Sequence, residues 1–64
     1  FGQAVISTDG GAVNVREKPD INSPIVAALP DGTVVKVFER VNDWFLIEEG
    51  STAGFVNAEF IRQL

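Results

Sequence analysis

The sequence contains no cysteine and no histidine. No disulfide can form, and a structural zinc site built from thiolate and imidazole ligands is excluded. The same two absences remove every catalytic pair of the Ser–His or Cys–His type. No metal and no cofactor are expected. Positive charge is scarce. Five Lys and Arg stand against nine Asp and Glu, a formal net charge of −4. Nucleic acid is a poor partner for such a chain, because phosphate binding needs clustered Lys and Arg. Anionic membrane surfaces are disfavoured for the same reason. No apolar run approaches the roughly 20 residues that a spanning helix needs, so no membrane insertion is expected. The chain has no initiator Met and begins at Phe1, which reads as a piece of a longer protein.

What is present is enough for one domain over residues 1–64. A chain of this size buries only about 60% of the surface its unfolded form exposes. Hydrophobic residues make up 45% of the chain, too many for a disordered segment. The core has to hold the fold without staples.

The stretch from Asp43 to Phe60 carries most of the information. Trp44–Glu48 is a run of aromatic and branched residues, the composition that strands favour. Glu49-Gly50-Ser51-Thr52 reads as a reversal and Ala53–Val56 as the returning strand. Gly54 inside that strand predicts a close backbone approach. Asn57-Ala58-Glu59-Phe60 reads as one helical turn opened by an Asn cap.

Upstream, Gln3–Ser7 reads as a first strand and Thr8–Gly11 as a turn held by Asp9. In Ala12–Arg16 the period-two alternation turns Val13 and Val15 inward. Glu17–Pro24, with two prolines, is a loop. Ile21 in its middle is expected to anchor it to the body. Ile25–Leu29 is a short strand and Pro30-Asp31-Gly32 a tight turn. In Thr33–Arg40, Val35 and Val37 face the core and Val34, Lys36, Phe38 and Arg40 the other side. In the next strand Phe45 and Ile47 face inward, and Trp44 and Leu46 outward. Ile61–Leu64 is a last strand. No helix of ordinary length can be drawn. The chain is therefore all-β, with five to six short strands and one helical turn near 57–60. A barrel or a two-sheet sandwich fits such spacing, and the short length favours the barrel.

A set of ordered motifs resembles one family. Val13-Asn14-Val15-Arg16, Pro19, Ser23-Pro24-Ile25-Val26 and Leu29-Pro30-Asp31-Gly32-Thr33-Val34-Val35-Lys36-Val37 come first. Trp44-Phe45-Leu46-Ile47, Gly54-Phe55-Val56 and Phe60-Ile61 follow. Together they resemble the bacterial SH3-like (SH3b) domain. The resemblance implies a partly open SH3-like barrel and a bacterial cell-envelope setting, periplasmic or extracellular. It also implies a role beside cell-wall hydrolases, holding them on peptidoglycan. Two positions depart from the family pattern. Glu17-Lys18 stands where Ser-Gly is common, and Phe55 stands where a Trp with its indole N–H is common.

No catalytic constellation is visible. Acidic residues are spread singly over turns, and nothing places two carboxylates across a cleft as a glycosidase requires. The chain is not expected to be an enzyme. Two binding readings remain open. In the first, Trp44, Phe55 and Phe60 with Asp20 and Ile21 of the Glu17–Pro24 loop form a shallow groove for peptidoglycan or a peptide. Aromatic rings give contact area at low entropy cost. In that reading Asp20, Asp31 and Glu59 would make the groove acidic and suited to an amine. In the second, Phe38, Trp44 and Leu46 form a patch that packs against the rest of the parent chain or a second copy. Trp44 either floors the groove or covers the barrel edge by stacking on the loop. Phe60 is either a groove aromatic or a core plug. Arg16 is expected to hold the loop by pairing with one of its acidic residues.

Overall fold

A computed structural model describes residues 2–64. Seven strands run in the order β1 (Gly2–Ile6), β2 (Ala12–Arg16), β3 (Ile25–Pro30), β4 (Val34–Val41), β5 (Trp44–Glu49), β6 (Thr52–Asn57) and β7 (Ile61–Gln63). A single 3₁₀ turn, Ala58–Phe60, separates the last two. This is the all-β architecture expected, with seven strands rather than five to six. All strands join one antiparallel sheet in the order β3-β2-β6-β5-β4-β1-β7.

The extents are 25 × 24 × 22 Å. Seven strands laid flat at about 4.8 Å spacing would be wide and thin. Near-equal dimensions mean that the sheet is curled around its own inner face. That face holds Ala4, Ile6, Val13, Val15, Leu29, Val35, Val37, Phe45, Ile47 and Val56, all buried. The alternation read in β2, β4 and β5 thus selects the inward residues correctly up to Val37. Beyond it, β4 carries a bulge between Val37 and Glu39. A bulge adds one residue and reverses the alternation. Arg40 therefore changes side. It pairs with Phe45 and sets its guanidinium 5.1 Å from the centre of the Phe45 ring. The expectation that Arg40 shares the outer face with Phe38 is corrected by that extra residue.

Gly54 is where two strands meet most closely. A β-carbon there would lie 2.6 Å from Val15 Cγ1, 2.7 Å from the Arg16 carbonyl oxygen and 3.3 Å from Val26 Cγ2. Only the absent side chain lets β2 cross β6, and the two strands are registered through one pair, Arg16 with Phe55. The tight β4–β5 reversal places Asn42 at a φ of 55°, a left-handed value that Asn tolerates better than most residues.

The first turn differs in detail from expectation. Thr8, not Asp9, holds it. The Thr8 hydroxyl accepts from the Gly10 N–H at 3.1 Å and donates to the Gly11 carbonyl at 3.0 Å. The neighbouring Asp31 carboxylate accepts from the Thr8 N–H at 2.7 Å and joins the two turns.

Candidate functional site

The site lies where β2, the loop after it, β5, β6 and the 3₁₀ turn come together. Strand β2 supplies a wall from Ala12, Val13, Asn14 and Arg16. Ile21 faces it from the loop that follows. Trp44 comes from the start of β5, Asn57 from the end of β6, and Phe60 closes the 3₁₀ turn. Together they enclose a groove of about 220 Å³. That is smaller than the ~300–1,000 Å³ of drug-sized sites and suits one residue of a ligand.

Three pieces of backbone chemistry fix these side chains. Asn57 caps the 3₁₀ turn, its side-chain oxygen accepting from the Glu59 N–H at 3.1 Å. The Ala58 N–H donates to the Asp43 carbonyl at 2.7 Å, tying the turn to the hairpin that launches Trp44. The Ser7 N–H donates to the Phe60 carbonyl at 2.8 Å. Trp44 and Asn57 are direct cross-strand partners. The rings of Trp44 and Phe60 are thus held by elements that touch one another.

The Glu17–Pro24 loop is held by polar contacts. Ser23 is buried, and its hydroxyl accepts from the Lys18 N–H at 2.8 Å. Arg16 Nη1 donates to the Ser23 carbonyl at 2.9 Å, and the Glu17 N–H donates to the Pro24 carbonyl at 2.9 Å. Arg16 does hold the loop, but through a carbonyl rather than through an acidic side chain. Ile21 is no anchor. It is 64% exposed and leans on the groove from outside. Asp20 is a loop builder. Its carboxylate accepts from the Asn22 N–H at 2.9 Å, and it does not line the groove.

The structure therefore brings together Trp44, Phe60 and Ile21, and leaves out Asp20 and Phe55. Trp44 is buried yet stands apart from the core cluster. Phe60 is half-buried, packing on the core while also lining the groove, so the two alternatives for it coexist. Phe55 lies two pairs along from Trp44, opposite Leu46 on the outer face. The same face carries Phe38, 53% exposed. The patch drawn from Phe38, Trp44 and Leu46 is thus divided, with Trp44 in the groove and Phe55 taking its place beside Leu46.

The groove's electrostatics also differ from expectation. Among the described residues, Arg16 is the one charged side chain lining it, and no carboxylate does. Asp31 is committed to Thr8, and Glu59 is exposed on the 3₁₀ turn. An acidic groove suited to an amine is not what these residues form. Sequence reasoning missed Asn14 and Asn57 as lining residues. The outward phase of Asn14 between two buried valines was the available signal.

A family model described as bacterial SH3 domain matches residues 11–62. The chain belongs to the bacterial SH3 domain family. No curated protein is significantly similar to it in sequence. Bacterial SH3 domains are generally non-catalytic binding modules, and they are often found in cell-envelope proteins. In this SH3 domain the match spans all the groove walls, from Ala12 in β2 to Phe60 in the 3₁₀ turn. No helix among the described residues is long and apolar enough to cross a membrane.

Proposed function

We propose that this SH3 domain is a non-catalytic binding module of a bacterial cell-envelope protein, periplasmic or extracellular. It holds peptidoglycan or a peptide in the groove between Trp44, Phe60 and Ile21. The observation that carries this reading is the state of Trp44. The ring is turned out of the core cluster and lines an open groove. Its indole N–H has no acceptor among the described residues and is not sealed from solvent. Buried Trp N–H groups usually find a partner, and a ligand oxygen would supply one.

A second reading rests on the outer face. Leu46 and Phe55 face each other across β5 and β6, with exposed Phe38 beside them. Such a patch suits packing against another domain of the parent chain or a second copy.

One experiment separates the two. Ile21 and Phe38 are 64% and 53% exposed, so Asp at either position should change stability by about 0.5 kcal/mol or less. Sedimentation with purified bacterial cell walls is measured for Ile21→Asp and Phe38→Asp. Loss of wall binding in Ile21→Asp alone supports the groove. Wall binding that neither variant changes, together with concentration-dependent self-association that Phe38→Asp or Leu46→Lys abolishes, supports the patch.

A further inference from the structure

The polar groups left free around the groove are mostly donors. Asn57 spends its side-chain oxygen on the 3₁₀ turn, which leaves its amide N–H₂ for a ligand. Trp44 offers an indole N–H and can offer nothing else. Arg16 commits Nη1 to the Ser23 carbonyl, and its guanidinium carries the only charge on the groove wall among the described residues. The chain as a whole has nine acidic residues against five basic, yet the acidic ones stay out of this site. Asp20, the nearest by sequence to Ile21, is turned to the Asn22 N–H. Asn14, also on the wall, adds a side-chain amide with one acceptor oxygen and two donor N–H groups, so donors still outnumber acceptors. A ligand that brings acceptors fits this site, and a negative charge suits it better than a positive one.

The apolar walls define the rest of the ligand. Trp44 and Phe60 offer rings and Ile21 an aliphatic lid, around a volume of about 220 Å³. That space takes a single small apolar side chain beside the acceptor group. A carboxylate and an apolar side chain within one residue's length describe a peptide chain end.

We propose that the groove recognises the free carboxyl terminus of a peptide ending in a small apolar residue. The carboxylate is held by Arg16 and the Trp44 and Asn57 N–H groups, and the side chain lies against Trp44, Phe60 and Ile21. This deepens the binding-module reading and rests on it.

The test uses ligand pairs, so that no variant has to fold. N-acetyl-glycyl-valine is titrated into the domain as the free acid and as the C-terminal amide. Valine amide, which carries a free amine, and N-acetyl-glutamate amide, which carries only a side-chain carboxylate, complete the set. The single Trp of the chain makes the indole N–H resonance an unambiguous reporter. The expected result is that the free acid binds about tenfold or more tightly than its amide, the scale of a hydrogen bond to a charged group. The acid alone should move the Trp44 indole proton downfield. Equal affinity for acid and amide, or tighter binding of valine amide, would overturn the proposal. Equal binding of the glutamate derivative would overturn the chain-end assignment. If cell-wall fragments bind and the acid shows no preference, this inference falls and the broader reading stands. If neither binds, both fall.

Discussion

Replacing Gly54 by Ala tests the packing on which the barrel depends. The new methyl would sit 2.6 Å from Val15 Cγ1 and 2.7 Å from the Arg16 carbonyl oxygen. Neither neighbour yields easily. Val15 is fully buried, and a β-branched side chain has few rotamers to offer. The Arg16 carbonyl is backbone, at the one registered pair between β2 and β6. Relief requires β2 to move away from β6 by several tenths of an ångström. Inserting a methylene into a close-packed site costs about 1–3 kcal/mol. Against this, Gly→Ala reduces the entropy of the unfolded chain and returns about 0.4–1 kcal/mol where the backbone conformation is compatible. The net effect is a loss of about 1.5 kcal/mol. In a domain this small that lowers Tm by roughly 6–12 °C. Gly11→Ala is the internal control. Nothing lies within 4 Å of a β-carbon there, so the same substitution should leave Tm unchanged or slightly raised. Thermal unfolding followed by circular dichroism measures both. A Gly54→Ala domain that melts at or above the wild-type temperature would refute the account of how β2 crosses β6.

Other outcomes follow from the hydrogen bonds around the groove. Ser23→Ala leaves the partly buried Lys18 N–H without its acceptor and should cost about 1–2 kcal/mol. Amide exchange at Lys18 should accelerate much more than exchange at Ile47 in the core, and equal acceleration at both would mean that the loop is not held by this bond. Asn57→Ala removes the cap on the 3₁₀ turn. The expected loss is about 0.5–1 kcal/mol, the lower part of the range for caps, with nuclear Overhauser contacts between Phe60 and Trp44 weakened. An unchanged contact pattern would show that the link from the Ala58 N–H to Asp43 fixes Phe60 alone.

Much of this fold is written in local patterns, and the exceptions share a physical cause. Val13, Val15, Val35, Val37, Phe45 and Ile47 follow strict alternation, and their burial follows from the pleat. Gly54 announced a close approach because a strand interior otherwise disfavours glycine. Arg40 was misplaced because a bulge is a pairing event between two strands and leaves no mark in the periodicity of either. Ile21 was misplaced because an apolar residue in a loop suggests burial, whereas Ser23 and Arg16 anchor this loop through backbone atoms. Backbone carbonyls and N–H groups have no letter in a sequence. The same blindness affected Asp20 and Asp31, whose carboxylates are occupied by N–H groups of Asn22 and Thr8. Trp44 and Phe60 stood out as candidates because aromatic residues are few. Asn14 and Asn57, which complete the groove, are ordinary polar residues that become notable only when three elements meet.

The central claim is that the groove between Trp44, Phe60 and Ile21 is where this SH3 domain meets its ligand. The most direct measurement is a chemical-shift titration of the isotope-labelled domain with purified peptidoglycan fragments. The account predicts shifts concentrated on the Trp44 indole N–H, the Asn57 side-chain amide, Arg16, Ile21 and Phe60. Unchanged resonances at millimolar ligand, or shifts gathered instead on Phe38, Leu46 and Phe55, would contradict it.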